Sequence, residues 1–311
     1  MRRRWIEAVV GLALGIGLMG WVLRGFEWRE LKAALANWEW LVSAAFALLG
    51  AHALRAWRWL AVLRTSGANL PFAASWWALM LGYLANLLLP RFGEILRCSL
   101  LWRWHQTPLP LTLGSVVAER LLDMLILLFL VGITAAVEGR GWLEALGLTA
   151  WLPLISLLLA IGLLGLGLLW YFWLRQKARG IVQQALQGFM ALAETRPRSL
   201  ILLFSLGIWV GYWLSTMSIL FADAASERFS SGLVLWASWI LLTGSALAMA
   251  LPVPGGLGTF HAIGLVLLTY LGWEKNIAQR LVVTAHAFQT LLILLVGAGG
   301  LGYAFWRTTR T

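Results

Sequence analysis

Charged side chains stand in this chain where an apolar segment would exclude them. Arg91, Glu94 and Arg97 follow one another at intervals of three within Asn86-Leu-Leu-Leu-Pro-Arg-Phe-Gly-Glu-Ile-Leu-Arg97, which places all three on one face of a helix. Two guanidiniums bracketing one carboxylate keep a net positive charge. A planar guanidinium takes a phosphate or carboxylate through two hydrogen bonds, and Glu94 can hold one arginine in place. The alternative is an interfacial ion-pair cluster. Further on, Ala118-Glu-Arg-Leu-Leu-Asp123 sets Glu119 and Asp123 four apart on one face, with Arg120 three before Asp123. Charges in an apolar span are expensive and face a cavity or one another. Either Arg120 and Asp123 pair and orient the preceding segment, or Glu119 relays a proton or a headgroup. Arg55 and Arg58, in Leu54-Arg-Ala-Trp-Arg-Trp59, share another face. They either snorkel to headgroups or guide an anion toward Arg91.

A second candidate has hardly any charge. Leu251-Pro-Val-Pro-Gly-Gly-Leu-Gly-Thr-Phe-His261 breaks an apolar run with prolines that remove donors and with Gly255, Gly256 and Gly258, which permit positive φ. In hydrocarbon such a break is tolerated only where it is buried in protein or lines a wet cavity. The freed N–H groups and positive helix end at Thr259 could meet an anion without a side-chain charge. His261, on the first turn, reads either as a packing residue or as a ligand. The four histidines show no metal spacing, so no metal site is expected. Two Gly-x-Gly-x-x-Gly matches, at 15–20 and 297–302, lie inside apolar runs with no strand before them and read as helix-packing glycines. With no Walker sequence and no Gly-x-Ser-x-Gly elbow, no cofactor and no enzymatic activity are expected.

These residues must be positioned by membrane helices. Of 311 residues, 61% are hydrophobic and 12% charged, with a mean hydropathy of +0.81, far beyond a soluble domain. Apolar runs long enough to cross about 30 Å of hydrocarbon predict an all-α polytopic membrane protein, one transmembrane domain over 1–311. The runs are 5–23, 40–63, 72–89, 115–137, 151–173, 199–221, 233–251, 259–272 and 281–306, while 95–105 alternates apolar residues with Arg97, Arg103 and His105. The net charge of +11 and the 21 tryptophans gather near the ends of these runs, which suits headgroups rather than nucleic acid. If every run crossed, the basic interval 175–198 would fall opposite the Arg2-Arg3-Arg4 end, against the positive-inside rule. If 71–107 and 233–272 are instead re-entrant hairpins from opposite faces, sixteen Lys and Arg share one side against seven on the other. The reading is therefore six full spans plus two opposed hairpins, as an inverted repeat would give. It places the termini and an amphipathic surface segment, 175–198, on the cytoplasmic side.

Taken in order, Arg55-x-x-Arg58-Trp59, Asn86 with Leu89-Pro-Arg-Phe-Gly-Glu94 and Arg97, Glu119-Arg-x-x-Asp123 and Pro252-x-Pro-Gly-Gly-Leu-Gly258 resemble the lysylphosphatidylglycerol synthase transmembrane region family. The resemblance covers about residues 5–306. That family includes the flippase region of the multiple peptide resistance factor and stand-alone prokaryotic membrane proteins. It implies a protein of the cytoplasmic membrane that moves an anionic or modified phospholipid between leaflets, as a homo-oligomer or beside a separate lipid-modifying enzyme. The headgroup site would be drawn from Arg55, Arg58, Arg91, Glu94, Arg97, Glu119, Arg120, Asp123, Gly255, Gly256, Gly258, Thr259 and His261. Lysyl transfer is not implied, because nothing here resembles the synthase domain. Members usually carry a glutamate three residues after the last glycine of the Pro-Gly-Gly-Leu-Gly motif, where this chain has His261. Two other classes stay open: a membrane enzyme or subunit using Glu119 and Asp123 as acid and base, and a scaffold that transports nothing.

Overall fold

A computed structural model describes residues 37–139, 141–145, 147, 180–223, 228–251 and 253–308, with Gly17, Gly20 and Arg24. Apart from Gly17 and Gly20, the expected span 5–23 lies outside the described residues, as do the span 151–173, residues 175–179 of the surface segment and Pro252. Within them the chain is helical throughout, without strands. Nine helices have twelve residues or more: α1 Trp38–Thr65, α2 Phe72–Leu88, α3 Phe92–His105, α4 Leu109–Glu138, α5 Ile181–Glu194, α6 Arg198–Ala222, α7 Ser231–Ala250, α8 Thr259–Tyr270 and α9 Lys275–Thr308. Prolines set several starts. Pro71, Pro108 and Pro197 immediately precede α2, α4 and α6, where their fixed φ and missing donor cost nothing.

Five helices, α1, α4, α6, α7 and α9, are long and apolar enough to cross a membrane. Four of them are the full spans expected at 40–63, 115–137, 199–221 and 281–306. The two remaining pairs form hairpins of unequal make. At 1.5 Å per residue, the 17 residues of α2 and 14 of α3 reach about 25 and 21 Å, less than the hydrocarbon thickness. In the second hairpin, α7 with 20 residues reaches about 30 Å, whereas α8 with 12 reaches about 18 Å. The leg expected at 233–251 is thus long enough to cross on its own. Ser230 caps α7, accepting a hydrogen bond from the Leu233 N–H, and the helix starts early enough for Trp236 to bond Glu138 at the far end of α4.

The order long helix, hairpin, long helix occurs twice, as α1, α2–α3, α4 and as α6, α7–α8, α9. The two leading helices run antiparallel along their whole length. Asn37 N–H bonds the Ala222 carbonyl at one end, Ser43 meets Ser218, Gly211 and Gly207 face Ala51 and Leu54, and Thr65 meets Thr195 at the other. That is the relation an inverted repeat requires. The cross-packing agrees. The first hairpin lies on α9, where Gly297, Gly299 and Gly300 admit Leu84, Trp77 and Leu81, while α7 of the second lies on α4 through Trp239 and Thr134. Gly302 has nothing within 4 Å of a would-be side chain.

One end of the bundle gathers Thr65, His105, Thr195 and Arg307, joined as Thr65–Thr195 and Arg307–His105. The other gathers Asn37, Glu138, Ala222 and Tyr270, joined as Asn37–Ala222 and Tyr270–Glu138. The surface segment appears as α5, docked on α4 so closely that a side chain at Gly114 or Gly188 would overlap the opposing backbone.

Candidate functional site

The first hairpin turns on backbone geometry. Leu89 ends α2 in an extended conformation, Arg91 takes a left-handed φ of 61°, and α3 starts at Phe92. Arg91 is thus outside the helix and exposed, so the face expected for Arg91, Glu94 and Arg97 is not formed as one unit. The reason is local: Pro90 ends α2, and the left-handed residue reverses the chain before α3 can begin. Asn86 then closes the turn, its Oδ1 accepting from Gly93 N–H at 2.7 Å. Gly93 and Gly82 let the two backbones touch, and a side chain at Gly93 would overlap the Gly82 carbonyl oxygen.

Arg97 points inward instead, 2% exposed, and joins a buried network. Its Nη2 lies 3.2 Å from Glu119 Oε2, and its guanidinium stacks 4.4 Å from the Trp59 ring centre. Trp59 is held by donating to Ser115 Oγ. Arg58 bridges both carboxylates, with Nε 3.4 Å from Glu119 Oε1 and Nη2 2.7 Å from Asp123 Oδ1, and it donates to Ser205 Oγ on α6 at 2.9 Å. Arg55 Nη1 reaches Asp123 Oδ2 at 2.6 Å. Arg120 stands 3.8 Å from the same oxygen with 41% of its side chain exposed. Two sequence readings therefore change. Asp123 is held chiefly by Arg55 and Arg58, with Arg120 as a distant third. Arg55 and Arg58, 5% and 0% exposed, do not snorkel to headgroups, because two carboxylates on α4 pull them into the bundle.

Four guanidiniums face two carboxylates here, an excess of two positive charges that Glu94 reduces to one. Beside the network lies a cavity of about 10 Å³, room for one water, lined by Gly82, Tyr83, Asn86, Glu94, Arg97 and Arg120 among others. Buried polar atoms of three of those residues, Glu94 Oε2, Arg97 Nε and Nη1, and Arg120 Nε, have no hydrogen-bond partner among the described residues. Unpaired buried donors of this kind are costly, and an oxyanion would satisfy them.

The second break forms a short 3₁₀ turn, Pro254–Gly256, with φ of 56°, 71° and 79° at Gly255, Gly256 and Gly258. Glycine takes such left-handed values without strain, twice in succession at Gly255 and Gly256 and again at Gly258, where α8 begins. Thr259 Oγ1 donates to the Gly256 carbonyl at 3.1 Å, and the Gly258 N–H donates to His261 Nδ1 at 3.3 Å. Thr259 and His261 are buried, 2% and 1% exposed, so this helix end faces protein. From α9, His286 Nε2 meets the Gly255 carbonyl at 2.8 Å, and its ring lies 4.6 Å from that of His261.

The two breaks touch. A side chain built on Gly255 would come within 3.1 Å of Leu87 Cδ2, one residue beyond Asn86 of the cavity wall. The sequence reading missed several partners: Ser205, Tyr83, Ser115, His286 opposite His261, and a buried bidentate pair in which Arg280 Nε and Nη2 meet Asp223 Oδ2 and Oδ1 at 2.7 and 2.9 Å. Ser205 lies unmarked in an apolar run, and Asp223 and Arg280 lie 57 residues apart. The one available signal was that Asp223 is the only aspartate besides Asp123. Among the described residues no group of three metal-ligating side chains is found.

No curated protein and no solved structure matches the chain. One family model does, lysylphosphatidylglycerol synthase TM region, over residues 8–297, and it takes in both hairpins, the arginine network and the glycine break. The chain is thus an integral membrane protein belonging to the lysylphosphatidylglycerol synthase TM region family.

Proposed function

We propose that this protein is a flippase-like transporter that moves a lipid with an anionic headgroup between the leaflets of a prokaryotic cytoplasmic membrane. One observation carries the reading: the tips of two opposed hairpins meet beside a small cavity where buried polar atoms of Glu94, Arg97 and Arg120 stand without hydrogen-bond partners among the described residues. The hairpin ends lie at opposite ends of the bundle while their tips touch, which supports entry of one hairpin from each face and the six-span topology with both termini cytoplasmic. Broken helices whose tips meet between repeats are the arrangement in which transporters hold a substrate between two gates. Arg97 and Arg120 offer donors to the phosphate, Glu94 tunes the local charge, and Arg55, Arg58, Glu119 and Asp123 hold the arginines in register.

The chemistry favours transport over catalysis. An acid and base pair needs carboxyls free to exchange protons, and Glu119 and Asp123 each already face two guanidiniums.

The test is lipid exchange in proteoliposomes with a fluorescent anionic phospholipid quenched from outside. Wild-type protein equilibrates the leaflets. Arg97→Gln slows exchange at least tenfold while circular dichroism stays native, and Arg91→Ala, at the exposed tip, loses headgroup preference. Arg103→Gln, exposed on the same helix, leaves the rate unchanged. Exchange by Arg97→Gln at the wild-type rate, or wild-type exchange no faster than in protein-free vesicles, rejects the proposal. A pure scaffold instead predicts full biological function after Glu94→Gln.

A further inference from the structure

The joint between the two hairpins contains a pair of imidazoles whose hydrogen bonds define their protonation. A carbonyl oxygen only accepts, so His286 Nε2 must carry a hydrogen to bond Gly255 O. A backbone N–H only donates, so His261 Nδ1 must be bare to receive Gly258 N–H. His261 is therefore the neutral tautomer with its hydrogen on Nε2, His286 carries a hydrogen on Nε2, and each ring holds one glycine of the turn that rests on Leu87. We propose that His261 is a proton-binding site that controls this joint: a proton on Nδ1 displaces the Gly258 N–H, uncaps α8 and parts the second hairpin from the first.

The surroundings make the proton and the closed joint exclusive. His261 is 1% exposed and packed by Phe260, which also lies 5.2 Å from the His286 ring. Among the described residues no carboxylate is found against it to compensate a charge. α7 contains no titratable side chain, nor does the break Val253–Gly258. α9 presents His286, itself a base, and Glu144 of the short helix Gly141–Ala145 lies by Tyr270, at the far end of α8. Protonating Nδ1 in place would bury a cation beside a second imidazole with its hydrogen bond inverted.

The sign follows from linkage. When the joint is parted, a hydrated imidazole binds a proton at about pH 6.5, and the joined state excludes it. Joining is therefore fully stabilised above about pH 6.5 and progressively weakened below it. Well below that pH each further unit shifts the joined-to-parted ratio about tenfold toward parted, so pH 4.5 differs from pH 6.5 by about fiftyfold. Acid would thus open the contact between the hairpin tips, whatever the molecule carries.

The test reads distance, not transport. Spin labels go on Leu88→Cys and Leu251→Cys, both exposed beside their tips, in the full chain reconstituted in nanodiscs; Cys98 is fully buried and stays. Pulsed dipolar spectroscopy from pH 8 to pH 4 is expected to show a longer-distance population growing as pH falls. His261→Gln, whose amide oxygen still accepts from Gly258 and does not titrate, keeps the short distance at every pH. A wild-type distribution unchanged across that range overturns the proposal, as does an undiminished response in His261→Gln. Neither outcome bears on whether lipid moves, so failure here and failure of the transport reading are distinguishable.

Discussion

Replacing Asp123 by asparagine probes the buried network at its most loaded point. The carboxylate accepts from Arg55 Nη1 at 2.6 Å and from Arg58 Nη2 at 2.7 Å, and these guanidiniums are 6% and 0% exposed. Asparagine keeps one acceptor and turns an amide donor toward the other guanidinium. One charge-assisted bond, worth about 1.5–3 kcal/mol, is lost, and the excess charge of the four arginines over Glu119 and Asp123 rises from two to three. Leaving a buried charge without its partner brings the expected loss to about 3–5 kcal/mol. Arg55→Gln added to Asp123→Asn restores the charge balance and should recover more than half of it, the coupling appearing as a non-additive cycle. Arg120 supplies an internal control. It addresses the same carboxylate but at 3.8 Å and with 41% exposure, so Arg120→Gln should cost less than about 1 kcal/mol. The assay is unfolding in mixed micelles of rising dodecyl sulfate fraction, followed by helical ellipticity. Asp123→Asn within 1 kcal/mol of wild type, or Arg120→Gln costing as much as Asp123→Asn, would refute the assignment of Asp123 to Arg55 and Arg58.

Other outcomes follow from the same geometry. Gly93→Ala forces α2 and α3 apart at a backbone contact that cannot yield, costing about 1–3 kcal/mol or more, whereas Gly302→Ala, in open space, should be neutral in the same unfolding assay. Asp223→Asn breaks a buried bidentate pair with Arg280 and should destabilise by about 3–5 kcal/mol, measured alongside Asp123→Asn. Cysteines at 65 and 195, whose hydroxyls now lie 3.1 Å apart, should join under mild oxidation, as a gel-mobility shift would report, while a cysteine pair at 37 and 195 should not.

The apolar runs and their interruptions were legible in the sequence because proline and glycine act locally. Pro71, Pro108 and Pro197 mark helix starts, and the Pro254–Gly258 turn needs left-handed backbone that its glycines announce. Charge counting could only propose a topology, because orientation depends on totals. Pairing was not legible. Helical spacing gave Arg120 to Asp123 and put Arg91 on a face with Arg97, yet the helix does not reach Arg91, and the arginines that hold Asp123 come from α1, more than sixty residues earlier. Spacing reports faces of one helix only. Partners across helices, such as Ser205 for Arg58 or His286 beside His261, depend on which helices lie together, and the antiparallel seam of α1 and α6 is set by small residues that look ordinary in a run of apolar ones.

That seam has a consequence for how the molecule enters a membrane. Two halves running in opposite senses offer nearly the same apolar profile whichever way up the bundle is turned, so hydrophobicity gives the insertion machinery little to choose by. The choice falls to the basic residues. On the proposed six-span topology, setting aside the buried Arg55, Arg58, Arg97 and Arg280 turns the sequence count of sixteen against seven into thirteen against six, still two to one. Orientation here is an electrostatic majority vote, and a few relocated arginines at the bundle ends would suffice to turn the whole protein over.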